Sequence, residues 1–208
     1  MICGIRIFVE GGGKGAELRK LFRNGFSAFL CSIRDEARRH RLHFDIIPCG
    51  PRSETIKRFA QALNDDPRTF NALLVDADAQ PTGSPREHLS QSNAKRLSDA
   101  TGNACHLMVE LMESWLIADP DALGEFYGKG FRNSGLPRSK NLEQVAKSDV
   151  LAALKHATTD TGKGEYHKTQ HGPQLLTCIA PAKVRQRAPH CERLFTTLAG
   201  VIETHRGT

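Results

Sequence analysis

Ala72-Leu73-Leu74-Val75-Asp76-Ala77-Asp78 is the stretch on which the fold turns. Four apolar residues in a row, without polar alternation, read as a strand buried on both faces, as central strands of parallel sheets are. The run stops at Asp76, so the strand delivers acid to a sheet edge. Upstream, residues 2–9 are rich in β-branched and aromatic types and end in Gly11-Gly12-Gly13, which reads as a first strand and a tight loop. From Gly15, the residues Leu18, Leu21, Phe22, Phe26, Phe29, Leu30 and Ile33 recur at helical spacing, predicting one long amphipathic helix to about Arg41.

Between these lie a short second strand at residues 44–47, closed by Pro48, Gly50 and Pro51, and a helix over 53–63 capped by Ser53. Beyond the acidic pair, residues 79–85 form a loop, 86–100 a helix and 106–109 a fourth strand. A helix from Glu110 to Ala118 is then interrupted by Pro120. Strands alternating with helices imply an α/β fold, a Rossmann-like core with a parallel sheet of about four strands flanked by helices. After Gly128 glycines and prolines crowd together, and helices are expected over 142–157 and 192–203. The organisation expected is a core over 1–127 and a helical, basic extension over 128–208 packed on it.

At 208 residues the chain suffices for one core with an appendage. No stretch approaches the ~20 apolar residues of a membrane span and no signal-peptide pattern is present, so a cytoplasmic protein is expected. Six dispersed cysteines with no C-x-x-C pair indicate neither a disulfide framework nor a standard zinc module. The formal net charge of +6 favours polyanionic partners such as nucleic acid.

Glu10 follows the first strand, and Asp76 and Asp78 follow the third. Ligands of open parallel sheets gather beyond the carboxyl ends of the strands, so topology is expected to bring these three carboxylates together. Packed carboxylates repel and raise one another's pKa unless a cation favours their charged forms. A hard divalent ion, Mg²⁺ or Mn²⁺, answers that need and leaves positions for phosphate. Gly11-Gly12-Gly13-Lys14-Gly15 departs from the Walker A pattern because Gly15, not Ser or Thr, follows the lysine, so NTP hydrolysis is not expected. Gly11, Gly12 and Lys14 are still suited to approach a phosphate at a helix N-terminus.

On Phe8-Val9-Glu10-Gly11 and Leu73-Leu74-Val75-Asp76-Ala77-Asp78 the chain resembles the TOPRIM fold, the metal-binding domain of type IA and II topoisomerases, bacterial primases and OLD-like nucleases. One departure is Lys14, where many TOPRIM domains carry an acid. Residues 108–115 (Met-Val-Glu-Leu-Met-Glu-Ser-Trp), Ala118-Asp119-Pro120, Tyr166-His167-Lys168 and His171-Gly172 resemble a bacterial family of small TOPRIM-like proteins of unknown function, often encoded beside ATPases in anti-phage loci. The resemblance implies a metal-dependent nuclease with Glu10, Asp76 and Asp78 as metal ligands and Glu10 doubling as general base; Glu113, which follows the fourth strand and is expected to face the same edge, is the candidate fourth acid, with Glu110 the alternative. The stretch from Lys163 to Gly172, with its cations, aromatic and glycines, reads as a loop gripping phosphate. Lys163 and His167 would bind it, Lys168 and His171 would orient it, and Tyr166 would stack on a base. Lys183, Arg185, Arg187 and His190 extend that basic texture, whereas Arg34, Arg38, Arg39 and Arg41 read as a solvated helix end, and Trp115 as core. A non-catalytic subunit docking on an ATPase partner is the alternative. DNA against RNA, the number of metals and the oligomeric state, homo-oligomer included, stay open.

Overall fold

The computed structural model describes residues 2–93, 97 and 102–206. The chain runs through β1 (Gly4–Val9), α1 (Ala16–Phe29), α2 (Cys31–Arg39), β2 (His43–Pro48), α3 (Arg52–Asp65), β3 (Thr69–Asp76), α4 (Pro85–Asn93) and β4 (Cys105–Met108). It continues through α5 (Glu113–Leu116), α6 (Pro120–Tyr127), α7 (Lys147–Thr158), α8 (His171–Cys178), α9 (Pro181–Arg187) and α10 (Pro189–Arg206). The fold is α/β: the four strands form one all-parallel sheet in the order β2-β1-β3-β4, flanked by helices and followed by a helical C-terminal region. No helix among the described residues is long and apolar enough to cross a membrane.

Each central strand shares its side chains between the two faces. Ile5, Ile7 and Val9 of β1, Ala72 and Leu74 of β3 and Met108 of β4 enter one core cluster, which also holds Phe26 and Phe29 of α1. Phe8, Leu73, Val75 and Leu107 enter the other, against Ile56 and Phe59 of α3. This is the two-residue period of a strand, and it explains why the run from Ala72 to Val75 has no polar member: both of its faces are covered.

The long helix expected to reach Arg41 is two helices. Leu30 leaves helical geometry at φ −96°, ψ 20°, and the chain resumes as α2. The break lets α1 lie against α8 and β2 while α2 lies against β2 and α10, so the apolar stripe serves two sets of neighbours. Trp115 is fully buried and stacked on Phe29 at 5.4 Å, the core role expected of it. Arg38 and Arg39 are exposed in the last turn of α2.

Three local expectations are corrected. Pro51, not Ser53, stands at the N-cap of α3, and Ser53 is exposed. Pro120 opens α6 rather than interrupting a helix: it takes the first turn, where a missing N–H costs nothing, and the Asp119 carboxylate accepts from the Ala122 N–H. The helix begun at Glu110 is reduced to α5, a single turn, and the helix expected over 142–157 is a 3-10 turn at Leu142–Gln144 followed by α7. Of the helix expected over 86–100, α4 supplies the first part; residues 94–96 and 98–100 lie outside the described residues.

The region after Gly128 shares the larger core. Leu154 of α7, Leu175 of α8, Val184 of α9 and Leu194 of α10 join Ile5 and Trp115 in one cluster. Arg193 of α10 clamps β4, donating to the Cys105 carbonyl at 2.7 Å and to His106 Nδ1 at 3.0 Å.

Phe26 is fully buried, with Phe22 at 5.0 Å and Trp115 at 6.4 Å between ring centroids. Phe26→Ala is expected to cost about 3–5 kcal/mol in urea denaturation, the range for emptying an aromatic core position. Arg38→Ala should stay within about 0.5 kcal/mol of the wild type.

Candidate active site

The strand order places the topological switch point between β1 and β3: the chain leaves β1 toward β2 on one side and returns to β3 on the other. Val9 is in register with Leu74, so Glu10, one step beyond β1, stands level with the end of β3. Its Oε2 accepts the Asp76 backbone N–H at 3.2 Å. Asp76 closes β3, and its Oδ1 accepts the Met112 N–H at 2.9 Å from the turn after β4. The turn continues into α5, whose first residue is Glu113.

Glu113 is fully buried. Its Oε1 accepts the Tyr166 hydroxyl at 2.9 Å, while Oε2 is buried and has no hydrogen bond among the described residues. Lys168 Nζ lies 3.4 Å from Asp76 Oδ2 and 3.5 Å from Glu113 Oε2, one ammonium held between two acids. Arg52, the first residue of α3, plays the same part between Glu10, at 3.3 Å, and Asp78, at 2.7 Å, and also donates to the Asp76 carbonyl. Asp78 sits in the left-handed region at φ 64°, is half exposed, and has Lys147 Nζ 3.6 Å from its other oxygen. Glu10, Asp76 and Glu113 therefore form the inner cluster, with Asp78 joined to it through Arg52.

Glu110 faces elsewhere, accepting from Gln80 Nε2 and the Lys147 N–H, both at 3.0 Å. Between the two alternatives for the fourth acid, the fold brings Glu113 to the cluster.

Burial, reinforced by Glu113 and Glu10, pushes the Asp76 carboxyl up to about 7 even with Lys168 beside it. Burial also raises Glu10, against the pull of Arg52. Burial alone would lower the Lys168 ammonium, but Asp76 and Glu113 outweigh it and hold it above the ordinary lysine value. The cations present thus leave Asp76 and Glu10 short of positive charge.

Whether these residues suit a divalent ion can be judged on the donor set. Asp76 Oδ2 and the unbonded Glu113 Oε2 face one cationic position, and carboxylate oxygens are the donors Mg²⁺ and Mn²⁺ prefer. That position is taken by an ammonium on a half-exposed side chain, and among the described residues no three His, Cys, Asp or Glu side chains are arranged around a common ion. The residues fit the ion in kind, with the Lys168 ammonium standing where the ion would bind.

A cavity of about 170 Å³ opens beside the acids, lined by Gly11, Gly12 and Gly13 along with Glu10, Asp76 and Lys168. A Cβ at Gly11, where φ is 120°, would stand 2.6 Å from Phe22, so only glycine lets the loop pass that ring. Gly11 and Gly12 are thus where a phosphate-approaching loop was expected, whereas Lys14 is exposed and does not line the cavity.

The stretch from Lys163 to Gly172 divides. Lys168 reaches the acids; Tyr166, expected to stack, instead donates to Glu113. His167 is exposed, with Nδ1 3.3 Å from Thr169 Oγ1, and Lys163 lies over the Phe126 ring at 4.8 Å. His171 is not in the loop: it opens α8, is buried, and packs its ring on Phe126 and Tyr127 behind Tyr166. Its Nδ1 accepts the Tyr127 hydroxyl at 2.9 Å and the His167 N–H at 3.1 Å, so this ring braces the aromatic layer and is not held against the acids. The downstream basic residues are also engaged internally. Lys183 pairs with Asp119 and Asp121, Arg185 with Glu192 and His190 with Glu143, and Arg187 caps four backbone carbonyls.

Arg52, Lys147 and the Tyr166 hydroxyl are the site groups that sequence reasoning missed. Arg52 had a signal: it follows Gly50-Pro51 beyond the second strand, on the same sheet edge that collects Glu10 and Asp76. The family model described as Domain of unknown function (DUF4276) matches residues 9–199, and the chain belongs to that family. No curated protein and no solved structure matches it.

The Asp76 carboxyl binds a proton more tightly in the folded chain, near pH 7, than in the unfolded chain, near pH 4. Between those values the folded state holds the extra proton, so this group's contribution to stability is full below about pH 4 and is lost as pH rises through 7. With EDTA present, Asp76→Asn is expected to gain on the wild type by up to about 1.4 kcal/mol per pH unit across that window. Denaturant titrations at a series of pH values measure this, and a constant difference would show that Asp76 is not the group responsible.

Proposed function

We propose that this member of the DUF4276 family is a Mg²⁺- or Mn²⁺-dependent nuclease that hydrolyses phosphodiester bonds in nucleic acid. In that reading it serves as the effector of an ATPase-linked anti-phage system, a setting that rests on the resemblance to small TOPRIM-like proteins. The observation that carries the enzymatic part is the pair Asp76 and Glu113: a partly buried and a fully buried acid facing one cationic position, with Glu113 Oε2 lacking a hydrogen bond among the described residues.

Asp76 and Glu113 would hold the ion, with Glu10 the third carboxylate and Asp78 an outer acid. When bound, a divalent ion supplies charge at the scissile phosphate and lowers the pKa of a bound water. The Met112 N–H and the Tyr166 hydroxyl orient Asp76 and Glu113, a role in which outer partners commonly matter 10–100-fold. Glu10, raised above the ordinary carboxylate value, is suited to take a proton from the attacking water. Lys168, once displaced, has the reach to meet a phosphate at the rim.

A second reading, a non-catalytic subunit docked on an ATPase, draws on a different fact: in the chain by itself, Lys168 and Arg52 already bridge the acids. Calorimetric titration with Mn²⁺ separates the two. Measurable binding by the wild type and its loss in Asp76→Ala is expected; no heat, together with co-purification of an ATPase, would favour docking.

Cleavage of single- and double-stranded DNA and RNA in Mn²⁺ is expected to fall about 100-fold or more in Asp76→Ala, and equal rates in the two proteins would defeat the assignment. Lys168→Gln removes the ammonium that competes for the same oxygens. It is expected to bind Mn²⁺ about fivefold more tightly, since an ion pair with an exposed partner is worth about 1 kcal/mol. The same variant should cleave more slowly; weaker Mn²⁺ binding would mean that the lysine does not occupy the ion's position.

A further inference from the structure

The acid cluster accounts for only part of the cavity it borders. Glu10, Asp76 and Lys168 come from the strand ends and the loop before α8, whereas Leu18 and Phe22 come from α1 and Pro173 from α8, with Met112 joining the two parts. Those four side chains make an apolar lining next to a cluster suited to phosphate chemistry. The α1 and α8 helices that supply it are pressed together, since a Cβ on Gly25 would stand 2.5 Å from the Pro173 carbonyl oxygen.

We infer that this cavity receives one nucleobase of a single-stranded substrate, seated against Phe22 while its phosphodiester lies at the acids and Lys168. The inference rests on the nuclease reading for the identity of the ligand. Size supports it: a cavity of about 150 Å³ lined by Leu, Ile and Phe binds benzene, and the 170 Å³ here admits one ring system but no stacked pair. Lining chemistry supports it as well. A sugar asks for hydroxyl partners, whereas the α1 and α8 part of this cavity presents a ring and two aliphatic side chains, extended by the Met112 thioether, and the one hydroxyl of the lining is that of Thr169, in the loop before α8. A base offers an apolar face to such a surface, and base-on-aromatic stacking tolerates any sequence. The glycine loop borders the cavity at close quarters, since a Cβ on Gly11 would stand 2.6 Å from the edge of the Phe22 ring and one on Gly12 2.9 Å from Pro48. In a duplex the base would first have to leave its stack and its partner; in a single strand that cost is small.

The test is a binding measurement in which no cleavage is scored. A short single-stranded oligonucleotide containing 2-aminopurine, its fully abasic counterpart and the corresponding duplex are titrated against the full chain by fluorescence and anisotropy, in EDTA and in Ca²⁺. The base-bearing strand is expected to bind roughly tenfold more tightly than the abasic one, with a change in 2-aminopurine emission that the duplex does not give. Leu18→Trp, which fills the cavity from its half-exposed edge, is expected to remove that tenfold advantage and leave the abasic strand's affinity unchanged. Equal affinity for base-bearing and abasic strands overturns base capture, as does equal weakening of both by Leu18→Trp, or no binding in either buffer. Base capture without any cleavage in Mn²⁺ would instead sink the nuclease reading and leave the pocket assignment standing.

Discussion

Carboxylates held out of water at one sheet edge repel one another and lose hydration, and the surroundings of this site are organised around that cost. Glu10 and Asp76 are joined through a backbone N–H, and Asp76 and Glu113 share one ammonium. Arg52 reaches three neighbours from the start of α3: Glu10, Asp78 and the Asp76 carbonyl. Even so, burial holds the Asp76 carboxyl well above the ordinary aspartate range, at about 7. An ammonium 3.4 Å away and a single N–H do not replace what water or a doubly charged ion would give.

The parallel sheet makes this crowding unavoidable. In the order β2-β1-β3-β4, the carboxyl ends of β1 and β3 are adjacent, so the residues that follow them must meet. The C-terminal helices then roof the edge. The stretch leading into α8 carries Tyr166 and Lys168 onto acids belonging to β3 and α5, and α8 itself is seated by the close approach of Gly25 to Pro173.

Much of this was legible in the sequence, because strands carry a strong signal. The unbroken run from Ala72 to Val75 announced a strand covered on both faces, and the glycines after Glu10 announced a loop at the same level. The acids were legible because they stand where strands end. The break at Leu30 was not, because the apolar spacing continues through it and only the identity of the neighbours, α8 and β2 on one side and α10 on the other, shows why the helix divides. Nor was the division of labour between Lys168 and His171, three positions apart. One stays in a loop that reaches the acids; the other starts a helix whose first turn is buried among Tyr127, Phe126 and Tyr166. Arg185, Arg187 and His190 read as a basic surface because sequence shows charge without showing partners, and their partners, Glu192, four carbonyls and Glu143, are supplied by the packing of the C-terminal helices.

Lys168 meets Asp76 across 92 positions of chain. A nascent polypeptide that has emerged only as far as β4 would carry the aspartate with neither the lysine nor the tyrosine that later serve it. The centre is therefore completed only by the stretch that leads into α8, and a product ending before Tyr166 would keep Arg52 beside Glu10 and Asp78 but lack the hydroxyl and the ammonium that meet Glu113 and Asp76.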